Sequence, residues 1–154
     1  MKKIIFLGIL SLFLVYSCKT TIDRSSQRQL IGTWNLDKVT YSDNFVKVKA
    51  FDEYDAQCLK NSTWYFVSNN NTGNFTLPGG NDCPSYTQKF TWYIDPQGML
   101  GLKLINEGER ARKVTTGTIY QVQNISDTEF NLNQVISGVK ITYHFSQLSK
   151  GKLK

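Results

Sequence analysis

Thr87-Gln88-Lys89-Phe90-Thr91-Trp92-Tyr93-Ile94, then Asp95-Pro96-Gln97-Gly98, then Met99-Leu100-Gly101-Leu102-Lys103-Leu104-Ile105, is the stretch that decides the fold class. In the first segment Phe90, Trp92 and Ile94 alternate with Lys89 and Thr91, and in the second Leu100, Leu102 and Leu104 alternate with Gly101 and Lys103. Side chains on a strand point alternately to opposite faces, so a period of two marks a half-buried strand. Asp, Pro and Gly between the segments carry turn chemistry. The unit is a β-hairpin with one apolar and one polar face.

The same pattern recurs outward in both directions. Ile31–Tyr41, Ser62–Val67 and Gly73–Leu77 precede the hairpin, and Thr116–Ile125, Glu129–Val135 and Val139–Leu148 follow it. Most of the connections are of hairpin length and rich in Asn, Gly, Asp and Ser. Eight antiparallel strands in sequence order most simply close into an up-and-down barrel, which removes exposed edges. The expected fold is therefore all-β, with a short helix over 50–57, where Phe51, Tyr54 and Cys58 recur at helical spacing. Phe45 to Lys49 just before it alternates like a strand. The expected interior runs through Trp34, Leu36, Phe75, Phe130, Ile141 and Phe145, and the outer face through Lys89, Gln121, Asn133, Thr142 and His144.

The amino terminus carries a different signal. Lys2 and Lys3 precede an apolar run from Ile4 to Tyr16, which is too short for a bilayer span of roughly 20 residues. It ends in Val15-Tyr16-Ser17-Cys18, which resembles a lipobox: a small residue admits the peptidase, and the thiol takes a diacylglycerol thioether. Residues 1–17 are expected to be a lipoprotein signal peptide and 18–28 a flexible tether after lipidated, palmitate-bearing Cys18. A barrel domain over 29–150 and a basic tail over 151–154 follow. Several acyl chains, at about 0.8 kcal/mol per buried methylene, make a durable membrane anchor.

Without Lys2 and Lys3 the formal charge falls from +6 to +4. That is too diffuse for a nucleic-acid surface. With Cys18 committed to lipid, Cys58 and Cys83 remain as an even pair in an oxidising compartment, which reads as one disulfide. Two cysteines and the single His144 do not fill a tetrahedral metal shell, so no metal or other cofactor is expected. The carboxylates fall mainly in turns, and no Ser–His arrangement is visible, so no catalytic residues and no enzymatic activity are expected.

Leu30-Ile31-Gly32-Thr33-Trp34-Asn35-Leu36 resembles the Gly-x-Trp opening of lipocalins. The segments 58–77 and 120–132 are similar to the lipocalin-like lipoproteins common in Bacteroidetes. The resemblance implies that Gly32 lets the chain enter the barrel tightly while Trp34 plugs one end. It also implies a small hydrophobic ligand, with Trp64, Phe66, Trp92, Leu102, Leu104, Tyr120 and Tyr143 as candidate lining. An eight-stranded barrel is just wide enough either to hold one small ligand or to fill with its own side chains. In the filled case a protein partner is expected, as for an inhibitor, immunity or accessory factor, reached through the Asn106–Thr115 loop with Arg110, Arg112 and Lys113. Some lipoproteins of that lineage carry an acidic run after the cysteine that directs them to the cell surface. Lys19-Thr20-Thr21 is not acidic, so the expected place is the bacterial envelope, at the outer membrane facing the periplasm.

Overall fold

The computed structural model describes residues 24–43, 47–80, 82–114 and 117–151. Residues 1–17, Cys18, the first part of the expected tether, Phe45, Val46, Thr115, Thr116 and the end of the basic tail lie outside the described residues.

A short helix, α1 (Arg24–Leu30), leads into β1 (Gly32–Tyr41). After a small hairpin of β2 (Lys49–Ala50) and β3 (Tyr54–Asp55) and a 3-10 turn over Ala56–Leu59, the remaining strands follow in sequence. They are β4 (Thr63–Phe66), β5 (Thr72–Thr76), β6 (Thr87–Ile94), β7 (Met99–Ile105), β8 (Thr118–Gln123), β9 (Glu129–Ile136) and β10 (Val139–Lys150). β1 and β4 to β10 form a closed antiparallel barrel of eight strands in up-and-down order. β1 closes it by pairing with β10 along its length and with β4 over Gly32 to Asn35.

The turn chemistry is visible atom by atom. Asp95 Oδ1 accepts from the backbone N–H of Gln97 (2.9 Å) and of Met99 (2.8 Å), fixing the β6–β7 hairpin. Ser137 (φ 51°) and Gly138 (φ 83°) form the two-residue connection between β9 and β10. Two positive φ values match the right-handed twist of the flanking strands.

Two local expectations change. Residues 24–30 are helical where a tether was expected to run to residue 28, and Leu30 is fully buried. The expected helix over 50–57 is instead the β2–β3 hairpin followed by the 3-10 turn. Its apolar spacing came from Phe51, Tyr54 and Cys58 packing inward from a turn, a strand and a 3-10 helix in succession. Asn133 faces outward as its register requires, yet it is buried between the strands bearing Gln121 and Thr142, and its Oδ1 accepts from Thr142 Oγ1 at 2.6 Å.

Candidate functional site

The two ends of the barrel differ in construction. At the end where β1 begins, Trp34 is fully buried, donates from Nε1 to the Leu30 carbonyl at 2.8 Å, and meets Phe130 edge-on at 4.7 Å. Gly32 has φ 142°, and a Cβ there would sit 2.5 Å from the Ser149 carbonyl oxygen, so a side chain would force β1 and β10 apart. The helix, β1 and β10 thus enclose Trp34 within the sheet itself.

At the other end, the mouth, residues 47–62 fold across the opening as a lid. It has two unlike halves. The half over Ala56–Leu59 is fixed: Cys58 is bonded to Cys83 in the β5–β6 connection, with Cα atoms 5.4 Å apart. Asn61 N–H donates to Leu36 O (2.7 Å), and Gln57 Nε2 to Val39 O (3.2 Å). The Ser62 hydroxyl donates to Leu59 O and accepts from Trp64 Nε1 at 2.8 Å. The second half is the β2–β3 hairpin, with Phe51 (φ 53°) and Asp52 (φ 61°) at its tip. A left-handed backbone costs an L-residue roughly 1–2 kcal/mol, so a Phe there is unusual. Its ring is half-buried over the opening and stacks on Phe75 at 5.7 Å.

Below the lid the interior is packed with rings. Trp64 stacks on Phe75 (4.5 Å), Phe66 approaches Phe90 (5.2 Å), and Phe130 stacks on Phe145 (4.5 Å). Gly73 faces inward between Phe66 and Phe90, where a Cβ would fall 2.5 Å from the Phe90 ring. The Phe90 ring lies in the space that the missing Cβ leaves. A void among the interior residues, of about 10 Å³, is bordered by Leu36, Leu59, Trp64, Tyr120, Leu132, Tyr143 and Phe145. That is far below the several hundred Å³ of an ordinary ligand cavity.

A cleft of about 260 Å³ opens at the mouth, between the hairpin tip (Phe51, Asp52, Glu53) and Leu102, Leu104, Asn106, Gly117 and Thr118 of the facing wall. Two larger recesses, of about 450 and 460 Å³, lie on the outside of the barrel. The candidate lining residues therefore separate into three groups. Leu102 and Leu104 border the mouth cleft, while Trp64, Tyr120 and Tyr143 border the internal void. Phe66 and Trp92 face each other edge-on at 5.5 Å in solid packing and line neither space.

Five tyrosines collect at the mouth. Tyr41 donates to Asp55 Oδ1 at 3.1 Å, and the Tyr54 and Tyr86 hydroxyls share a hydrogen bond at 3.3 Å. Burial is the leading cause that raises all five. Tyr41 is pushed up to about 12, with the Asp55 charge as second cause. Tyr54 is raised by burial and the Tyr86 hydrogen bond, Tyr86 by burial, Tyr120 by burial and repulsion from Tyr143, and Tyr143 by burial and repulsion from Tyr41. His144 lies on the outer wall, its Nε2 3.1 Å from Thr40 Oγ1, with its pKa lowered by burial and by Lys38. Among the described residues no three or more His, Cys, Asp or Glu side chains cluster to hold a metal.

The sequence reading missed the lid residues Phe51, Glu53, Leu59 and Ser62. The one local signal that points to them is Asp55-x-Gln57, in which the Asp55 side chain accepts from the Gln57 N–H and caps the 3-10 turn.

A family model described as a lipocalin-like domain matches residues 30–132. No curated protein matches the chain. Solved structures of similar shape include bovine odorant-binding protein complexed with its natural ligand, at 14% identity, covering 79% of this chain and 73% of that one, with a TM-score of 0.44. Another is the odorant-binding protein from bovine nasal mucosa, at 12% identity, covering 82% and 76%, with a TM-score of 0.45.

Proposed function

The chain belongs to the lipocalin-like domain family, and from that premise we propose that it is a membrane-anchored binding protein that takes a small apolar molecule at the mouth of its barrel. The observation that carries this reading is the cleft of about 260 Å³, where Phe51, Leu102 and Leu104 supply the apolar part of a mostly polar lining that includes Asp52, Glu53, Asn106 and Thr118. Apolar and polar side chains converging on one recess are the elements of a small-molecule site. The ligand sits beneath and beside the β2–β3 hairpin rather than deep in the barrel, because the deep interior is occupied by rings. Anchoring is supported by Val15-Tyr16-Ser17-Cys18, with Cys18 acylated and the protein held at the outer membrane facing the periplasm. The activity is binding, not catalysis.

Two measurements test this. Native mass spectrometry of protein made in its own host is expected to show a co-purified small molecule. Titration with N-phenyl-1-naphthylamine is expected to saturate for the wild type and to weaken at least fivefold in Leu104→Trp, which fills the cleft. Absence of both a co-purified molecule and saturable dye binding overturns the reading.

The filled interior favours a second reading, a protein-binding module. Arg110, Arg112 and Lys113 are exposed around a 3-10 turn, and Tyr93, Ile119 and Val135 are exposed on the barrel wall. A pull-down whose specific partner is lost on charge reversal of Arg110, Arg112 and Lys113 selects this reading.

A further inference from the structure

The mouth cleft is uneven in charge. Its hairpin wall brings the carboxylates of Asp52 and Glu53, and the described residues that line it include no lysine, arginine or histidine. Glu109 adds a third carboxylate one hydrogen bond behind the lining, since its Oε2 accepts from the Asn106 N–H at 3.0 Å. The basic side chains nearby are directed elsewhere. Lys103 lies between Leu102 and Leu104 in sequence, but strand alternation turns it to the outer wall. There its Nζ donates to Val114 O at 3.3 Å and sits 5.8 Å from the centre of the Tyr93 ring. Arg110, Arg112 and Lys113 belong to the connection from β7 to β8, and none of them borders the cleft.

The two carboxylates at the hairpin tip are also uncompensated. Glu53 Oε2 accepts from the Tyr86 hydroxyl at 3.4 Å, a contact that positions the group and leaves its charge in place. Asp52 has no ion-pair partner among the described residues. Phe51, Asp52 and Glu53 are consecutive, and the tip that carries them is closed by the Glu53 N–H donating to Ala50 O at 3.1 Å. One ring and two negative charges therefore border the cleft on one side, and Leu102 and Leu104 border it on the other. A cation is attracted both to carboxylates and to the face of an aromatic ring. An anion of the same shape meets like charge.

We propose that the cleft selects an organic cation, a protonated amine on a compact apolar body, and that Asp52 and Glu53 are the residues that set this preference. This rests on the binding reading above and adds the sign of the ligand's charge. The apolar body lies against Leu102 and Leu104, and the ammonium group lies towards the hairpin tip.

The test uses the full-length protein and three compounds that share one apolar body: 1-naphthylmethylamine, 1-naphthylmethanol and 1-naphthylacetate. Each is titrated at neutral pH and low salt as a competitor of N-phenyl-1-naphthylamine, which is uncharged there. The amine is expected to bind about three- to tenfold more tightly than the alcohol, the span of two solvent-exposed charge pairs, and the acetate more weakly than either. In the double variant Asp52→Asn, Glu53→Gln the ratio of amine to alcohol affinity is expected to fall towards one. In the wild type the same ratio is expected to shrink as salt is raised, because exposed charges are screened. An amine that competes no better than the alcohol, or a preference that survives the double substitution, overturns the charge assignment and leaves small-molecule binding standing. Failure of the dye and of all three naphthyl compounds to bind overturns both.

Discussion

The two ends of this barrel solve the same problem with unlike parts. Both are sealed by an aromatic side chain, but Trp34 is carried on a barrel strand and Phe51 on a two-stranded hairpin outside it. Trp34 has a hydrogen bond to Leu30 O, an edge contact with Phe130 and complete burial. Phe51 has a stacked contact with Phe75, partial burial and a backbone in the left-handed region. The first is part of the core, and the second rests on it. A plug of the second kind is displaced without unfolding the sheet, because local opening costs least where few buried contacts hold a segment.

The largest effect that would sharpen this contrast is expected at the closed end. Trp34→Ala should destabilise the protein by about 3–5 kcal/mol, as for other large-to-small changes of a buried aromatic. Chemical denaturation reads this directly, and a loss below about 1 kcal/mol would remove the distinction between the ends. Next comes the fixed half of the lid. Replacing Cys58 and Cys83 together by Ala should cost roughly 3.5 kcal/mol from the closure entropy of a loop of this length, for a separation of 25 residues. Hydrogen exchange should accelerate over 56–62 and remain slow over 30–36.

Alkaline pH should act on the mouth alone. The tyrosines there have folded pKa values raised above their ordinary value, so they contribute stability that is complete below about pH 10 and lost as pH rises through the folded values. Tyr41, at about 12, lies within an accessible window. The denaturant midpoint should fall from about pH 10 upward, with exchange rising over 48–59 before it rises over 27–34. Simultaneous loosening of both ends would break the comparison. The smallest effect is expected for Phe51→Gly. Relief of the left-handed backbone, about 1 kcal/mol, offsets most of the lost partial burial, so stability should change by less than about 1 kcal/mol while dye binding at the mouth becomes faster. A loss comparable to that of Trp34→Ala would make Phe51 a core residue after all.

The near insensitivity expected at Phe51 also explains what the sequence could and could not convey. Alternation is a strong signal when large residues carry it, and Phe90, Trp92, Leu100, Leu102, Phe130 and Leu132 are all buried on the face their spacing assigns. Strands β6 and β7 therefore begin and end at the residues their pattern predicts. The pairing of Cys58 with Cys83 was legible for a different reason, since only two cysteines were left to pair in the barrel domain. The lid was not legible. Phe51-Asp52 forms a turn that ordinarily announces itself by Asn or Gly, and the apolar residues around it fall at a helical interval by coincidence of a turn, a strand and a 3-10 helix. α1 was hidden because seven residues are too few for a periodicity to be read. Nor does an alternating pattern say whether a barrel is hollow. The answer here depends on where the Phe90 ring lies over Gly73, which is a matter of packing and not of period.

β1 pairs with β4 only from Gly32 to Asn35, which leaves its later residues without a second strand beside them. A bare strand edge is a template on which another chain can add itself. Here Leu36 exchanges hydrogen bonds with Ser62 and Asn61, and the Gln57 side chain covers Val39 O. All three belong to the stretch held by the disulfide and not to the hairpin. Covering the mouth and guarding the edge therefore fall to different residues, so displacing the hairpin would leave the edge guarded.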